Sequence, residues 1–429
     1  MGSVTAKAAE INSDELAPDT GRPVSKARLA RFGAGFIFFN VAFMAAGGIA
    51  SSVLLPARFN TLGIGKGETI LGTMNSVSII FALIANVIFG ALSDASHSRF
   101  GKRTPWILLG APVAALAYYM TSVSTTLVGI VAWWSLLQVG LNCMLASCVA
   151  ILSDRVPQRF RGTMSAFYGA GQIVGQSLGT IIGSALIDSP RVGFAIGTIC
   201  WLLIGLITVI IMPRELSAAN DSARRFSLRQ VALQFRPPTH GATDFYKALV
   251  GRLLLILGYN MIVGFQLYVC MRYIGQNQKN AAATVSSMAM ITMIISLIIS
   301  LLSGPISDRL GRRKLPVFVA SIIIAVGIII PWVWPTKTAM LIYAALMGLG
   351  YGGYMAVDQA LNIDVLPNPD EAGKDLGILN LANTLGQVIA PMVVSPIVAA
   401  TGGYFLVFPI AAVAVMAGAF IILTIKKVK

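Results

Sequence analysis

The sequence predicts an all-α membrane protein with twelve transmembrane helices arranged as two pseudo-symmetric six-helix bundles. Three observations predict it. Of 429 residues, 56% are hydrophobic and only 11% are charged, too few charges to coat a soluble globule of this size. The apolar residues gather into twelve runs, each close to the ~20 residues that a bilayer's hydrocarbon core requires. Short polar motifs of the first half also return about 210 residues later in the second.

Taken in order, residues 1–31 are polar, mixed in charge and without an apolar core, so they read as a disordered cytoplasmic tail rather than a signal peptide. Spans 1 to 6 are expected at 32–56, 68–92, 105–123, 128–152, 162–187 and 192–212, making a first bundle over 32–212. Residues 213–246 form a basic, proline-containing linker with Arg224, Arg225, Arg229 and Arg236, in which 227–235 has the pattern of a short surface helix. Spans 7 to 12 follow at 248–270, 281–306, 315–334, 338–362, 376–399 and 403–425, making a second bundle over 247–425 with a short tail at 426–429.

Lys and Arg divide unevenly between the two sides. Counted over loops and tails, 26 of the 32 fall with the termini and the linker, and the other side keeps Arg58, Lys66, Arg191, Arg272, Lys279 and Lys337. That bias places both termini in the cytoplasm of a multi-pass protein of the cell membrane. The net charge of +15 therefore belongs to loops between spans and not to an aromatic-interleaved basic face, which excludes nucleic acid as a partner. Cys143, Cys148, Cys200 and Cys270 lie inside apolar runs with no C-x-x-C spacing, and His97 and His240 are the only histidines, so neither a metal site nor a cofactor is expected.

The most informative stretch is the charged turn after span 2, with Gly90, Asp94, Arg99, Gly101, Lys102, Arg103 and Pro105. Its echo after span 8 holds Gly304, Asp308, Gly311, Arg312, Arg313 and Pro316, with four residues fewer between the Asp and the second Gly. A second repeat follows: Asp154, Pro157, Gly162, Gly175 and Gln176 recur as Asp364, Pro367, Gly373, Gly386 and Gln387 at offsets of 210 or 211. Asp94 is expected to face the unpaired N–H groups at the start of span 11, and Asp308 those of span 5. Lys102 or Arg103 is expected to reach Asp154, and Arg312 or Arg313 to reach Asp364. Contacts of this kind exist in one end state of a transport cycle and would act as a cytoplasmic gate. The plainer reading is that these cations only set topology.

The two charged turns resemble the loops between helices 2 and 3 and between helices 8 and 9 of the major facilitator superfamily. The run Arg99, Gly101, Lys102, Arg103, Pro105, Trp106 and Ile107, with the stretch from Asp358 through Asp364 and Pro367 to Gly377, is similar to the glycoside-pentoside-hexuronide cation symporters and the related sucrose-proton symporters. The resemblance implies the major facilitator fold, no enzymatic activity, and coupled transport of a sugar or glycoside by alternating access. Acidic residues of span 2 stand only at its ends, as Glu68 and Asp94, unlike the melibiose-type sodium symporters, so protons are the expected coupling ion. Span 4 also lacks the interior Arg of the sucrose type.

Polar side chains within spans fall on single helical faces. Span 4 carries Trp134, Gln138 and Asn142; span 5 Tyr168, Gln172 and Gln176; span 10 Tyr351, Tyr354 and Asp358; span 11 Asn380, Asn383 and Gln387. Asn40 in span 1 and Tyr259, Asn260 and Gln266 in span 7 join them. Taken singly, each residue reads as well as interhelical glue. Together they suggest a cavity that offers amides and ring faces to a neutral polyol. Asp358, with no carboxylate at the matching position of span 4 (Cys148), is expected to carry the coupled proton; a fixed structural pairing is the competing reading. An exporter of drugs or other small organic molecules is the alternative function. Beyond substrate, protons and membrane lipids no partner is expected, and the chain is expected to be a monomer.

Overall fold

The computed structural model describes residues 15–218, 238, 242–310, 313–367 and 372–427. The principal helices are α1 (Lys26–Thr61), α2 (Gly67–Asp94), α3 (Thr104–Val123), α4 (Leu127–Arg155), α5 (Gln158–Ala185) and α6 (Pro190–Ile211). The second half adds α7 (Thr243–Val263), α8 (Gln278–Leu310), α9 (Lys314–Val333), α10 (Lys337–Asp364), α11 (Ala372–Thr401) and α12 (Val407–Leu423). Among the described residues nine segments are long and apolar enough to cross a membrane, and Val407–Leu423 is a shorter apolar helix. The helices follow the order of the expected spans. The end of the molecule where α1 begins and α12 finishes is termed the base, and the opposite end the top.

Helix pairing repeats between halves. In the first half α1 packs on α5 and α6, α3 on α4 and α6, and α2 on α4; in the second α7 packs on α11 and α12, α9 on α10 and α12, and α8 on α10. The contacts between halves obey the same symmetry, α2 against α11 and α5 against α8. Small residues make the close approaches possible. A Cβ at Gly175 of α5 would stand 2.5 Å from the carbonyl oxygen of Val41, so α1 and α5 touch backbone to backbone only because no side chain intervenes.

Three local departures from the sequence reading have clear causes. Residues 15–25 are not a disordered tail: Leu16 pairs with Pro23, Asp19 accepts from Arg28 at 2.6 Å and from Arg155 at 3.2 Å, and Ser25 caps α1 by accepting from the Arg28 N–H. The helix therefore starts at Lys26, and Arg31 donates to the carbonyls of Ile210, Ile211 and Met212, capping the end of α6. Span 1 also passes through a π-helical turn, Ile49–Leu54, where the Leu55 N–H reaches back five residues to Ala50, just ahead of Pro56, which has no N–H to offer. Span 7 is not continuous: α7 stops at Val263, Gly264 and Phe265 leave the helix, and the chain resumes as a turn at Gln266–Tyr268 and a π-helical turn at Val269–Tyr273. The surface helix expected at 227–235 lies outside the described residues.

Candidate functional site

At the base, the first charged turn closes on itself. The buried Arg103 guanidinium pairs with Asp94, with Asp154 at 2.6 Å and with the Ser93 hydroxyl, so one planar fork ties the end of α2, the start of α3 and the end of α4. The expected Arg103 to Asp154 contact is present. The Asp94 carboxylate also turns to Arg103 of its own half, whose fork presents donors to two acids at once; residues 368–371, just ahead of α11, where Asp94 was expected to face, lie outside the described residues. Glu215, just after α6, completes the turn. Its carboxylate accepts from the backbone N–H groups of Lys102, Arg103 and Thr104 at 2.9 to 3.1 Å and from the Thr104 hydroxyl, occupying the open donors and positive dipole at the start of α3.

That cap explains Gly101. Its φ is +99°, and a Cβ there would run into the Glu215 carboxyl group, so both the backbone and the space exclude a side chain. At Gly90 a Cβ would meet nothing within 4 Å, so no packing in this conformation demands glycine. In the second half Arg313 stands 3.7 Å from Asp364, a looser and more exposed pair. Arg312, and the side chains of Asp308 and Asn380, lie outside the described residues.

Deeper in the second half lies an ion pair that the sequence reading only half anticipated. Arg252 Nη1 is 3.1 Å from Asp358 Oδ2, with the two side chains 1% and 2% exposed. Arg252 Nε donates to Asn383 Oδ1 at 2.9 Å, and Asn362 Nδ2 donates to Asp358 Oδ2 at 2.9 Å. Three helices, α7, α10 and α11, thus meet in one polar cluster. Arg252 stands near the start of the expected span 7 and counts there with the cations on the side of the termini; the structure sets it nine residues beyond the first residue of α7, about 14 Å along the helix at ~1.5 Å per residue. The signal was present in the sequence, since a lone Arg inside an apolar run needs a partner, and Tyr259 lies seven residues on, along the same helix face. Tyr259 stacks on Tyr351 with ring centroids 4.2 Å apart and planes 10° from parallel, and Tyr354 extends the aromatic layer at 6.4 Å from Tyr351.

The remaining expected site residues separate into two groups. Asn40 is fully buried between α1 and α5 and donates to the Phe36 carbonyl of its own helix; Trp134 is 6% exposed within the apolar core of the first half. Asn40 Oδ1 and Trp134 Nε1 are buried without a hydrogen-bond partner among the described residues. Asn142 donates to the Gln138 carbonyl and accepts from Asn86 of α2 at 3.1 Å, Gln176 donates to Ser52 of α1, and Asn260 donates to the Ile256 carbonyl. Gln138 and Gln172 are half-buried, Gln176 and Gln387 are exposed, and Gln266 opens the short turn after α7. Of the polar residues expected to share a cavity, the structure brings Asn383, Tyr354 and Asp358 together around Arg252, with Tyr351 and Tyr259 alongside.

The chain matches the Major Facilitator Superfamily over residues 36–273 and again over 248–429. It is 23% identical over 370 residues to the class H tetracycline resistance protein of Pasteurella multocida, covering 79% of this chain and 86% of that one. Its fold is similar to a crystal structure of the nucleoside transporter NupG, at a TM-score of 0.71 and 12% identity over 92% of this chain and 99% of that one. It is similar also to a POT family transporter in complex with a thioalcohol-conjugated peptide, at 0.70 and 13% over 95% and 98%. A bacterial homologue of the human lysosomal transporter Spinster, in an inward-facing, unoccupied conformation, aligns at 0.65 and 13% over 94% and 95%. With two matches that together span nearly the whole chain, and a pairing of helices that repeats between halves, the protein belongs to the Major Facilitator Superfamily and is a membrane transporter of that type.

Proposed function

We propose that the protein is a proton-coupled secondary transporter that takes up a neutral sugar or glycoside by alternating access, with Asp358 carrying the coupled proton. The observation that supports this most directly is the buried Arg252–Asp358 pair. In this reading Asp358 pairs as an anion with the neighbouring guanidinium; when it accepts a proton on Oδ2 the attraction is lost, and Arg252, still hydrogen-bonded to Asn383, is free to shift with α11. The proton thereby changes which contacts join α7, α10 and α11. Half-buried amides at Gln138 and Gln172 and the ring layer at Tyr259 and Tyr351 supply hydrogen bonds and apolar faces suited to a polyol.

In this reading 32–212 and 247–425 move as two bodies joined by 213–246, the base is cytoplasmic, both termini lie on the cytoplasmic side of the cell membrane, and the monomer suffices. The Arg103 cluster serves as part of the cytoplasmic gate. A second reading, export of a drug-like organic molecule, is favoured by the likeness to a tetracycline resistance protein. Proteoliposomes under an imposed proton gradient, offered a panel of sugars, glycosides and dyes, decide between them. Sugar accumulation in the native protein, abolished by Asp358→Asn with counterflow exchange retained, is the expected result. Accumulation of a dye alone would overturn the sugar reading, and gradient-driven accumulation by Asp358→Asn would overturn the coupling role.

A further inference from the structure

Among the described residues, the hydrogen bonds and ion pairs that join the two halves gather at the top, and several converge on one residue. Glu68, in the first turn of α2, is 2% exposed. Its Oε1 lies 2.6 Å from Arg272 Nη1 and accepts from the Tyr404 hydroxyl at 3.3 Å, while its backbone carbonyl accepts from the Ser395 hydroxyl at 3.1 Å. All three partners belong to the second half, and they come from three separate places: the turn after α7, the α11–α12 connection and α11 itself. Around this hub Arg272 Nη2 donates to Asn60 Oδ1 at 3.1 Å, and the Tyr268 hydroxyl donates to the Pro56 carbonyl at 2.8 Å, both again crossing between halves. Two glycines admit these groups. A Cβ at Gly67 would collide with the Tyr268 hydroxyl, and one at Gly72 would stand 3.2 Å from the Ser395 Cβ.

We propose that Glu68 and Arg272 form the central pair of a latch that holds the top shut and must part each time the transporter opens there. The physical case is that a carboxylate this buried is stable only while the opposite half supplies its cation and hydroxyl donors. Parting the halves replaces those donors with water, so the hub can exist in two states, bound by the second half or hydrated, with little in between. Lys279 and Asp188 also bridge the top at 2.8 Å, but with side chains 75% and 65% exposed they stay solvated in either state and contribute little. At the base the Arg103 ion pairs link elements of a single half, whereas here every contact named crosses the boundary.

The inference rests on alternating access but on neither the substrate nor the coupling ion, so its test uses neither. Spin labels at Thr125→Cys and Lys337→Cys, exposed residues at the top of the first and second halves, report the separation of the halves in lipid nanodiscs. Glu68→Gln and Arg272→Gln are expected to add a longer-distance population, raising the top-open fraction about 10-fold, a shift of about 1.4 kcal/mol; Lys279→Gln is expected to leave the distribution unchanged. Identical distributions in native protein and both latch variants would overturn the proposal, as would an equal shift in Lys279→Gln. Should Glu68→Gln fail to fold, Gly72→Cys with Ser395→Cys gives an independent measure, because the two Cβ positions are close enough to bridge. Ser395→Cys removes one outer hydroxyl of the hub but keeps the Glu68–Arg272 pair, so oxidation should join the two cysteines readily with that pair in place and several-fold more slowly with Arg272→Gln added; equal rates would overturn the latch. Loss of proton coupling in Asp358→Asn, or its persistence, changes none of these readouts.

Discussion

Removing one partner of the Arg252–Asp358 pair should cost far more than removing both. At 3.1 Å, with both side chains at most 2% exposed, two unit charges attract by about 5 kcal/mol at an effective dielectric of ~20. Arg252→Met leaves the Asp358 carboxylate with only neutral partners, the Asn362 amide and the Tyr354 hydroxyl, and the uncompensated buried charge should destabilise the fold by roughly 3–5 kcal/mol. Asp358→Asn strands the guanidinium instead, which keeps Asn383 as acceptor for Nε but loses the only carboxylate facing it among these contacts. The double variant Arg252→Met with Asp358→Asn removes both charges and should recover most of the loss. Thermal unfolding of the four proteins in detergent micelles, followed by tryptophan fluorescence, gives the cycle and its coupling energy. A double variant no more stable than the weaker single variant would refute the reasoning, since it would mean that the two charges act independently of each other.

Glu215→Gln keeps one acceptor but removes the charge at the start of α3, and should lower stability by about 1–2 kcal/mol, read as a lower unfolding midpoint. Gly101→Ala should be at least as damaging, because it combines a strained left-handed backbone with a collision against that same carboxyl group; normal expression and stability would show that the turn can rearrange. Gly175→Leu should force α1 and α5 apart and reduce the folded yield sharply, with a cost of about 1–3 kcal/mol or more, whereas the same change at Gly90, where nothing lies within 4 Å, should leave the yield near normal in a monodispersity assay. Arg103→Gln should leave the protein folded while slowing the cycle, because it unties α2, α3 and α4 at the base; unchanged turnover at normal expression would return those cations to a role in topology alone.

The sequence alone carried the membrane class, the helical repeat and the residues of the base turn. Each rests on information local in the chain: apolar run length sets what can cross a bilayer, and charges in the short loops at one membrane face are candidates to meet, as Arg103 and Asp154 do, while the pairing of Arg103 with Asp94 came from the structure. Gly101 was legible as a requirement but not as a cause, since the carboxylate that fills its space comes from Glu215, more than a hundred residues on. What only the tertiary structure decided is which distant polar groups meet. Arg252 looked like one more loop cation until α7 carried it against Asp358 of α10 and Asn383 of α11. Asn40 and Trp134 have the spacing of cavity residues, and only the fold shows that both are buried among apolar neighbours, each with one polar atom that finds no partner among the described residues. Glu68 and Arg272 stand in different halves, each reading as an ordinary charge at a helix end; they pair, burying Glu68, only because the halves close on each other at the top, and no spacing within either half encodes that contact.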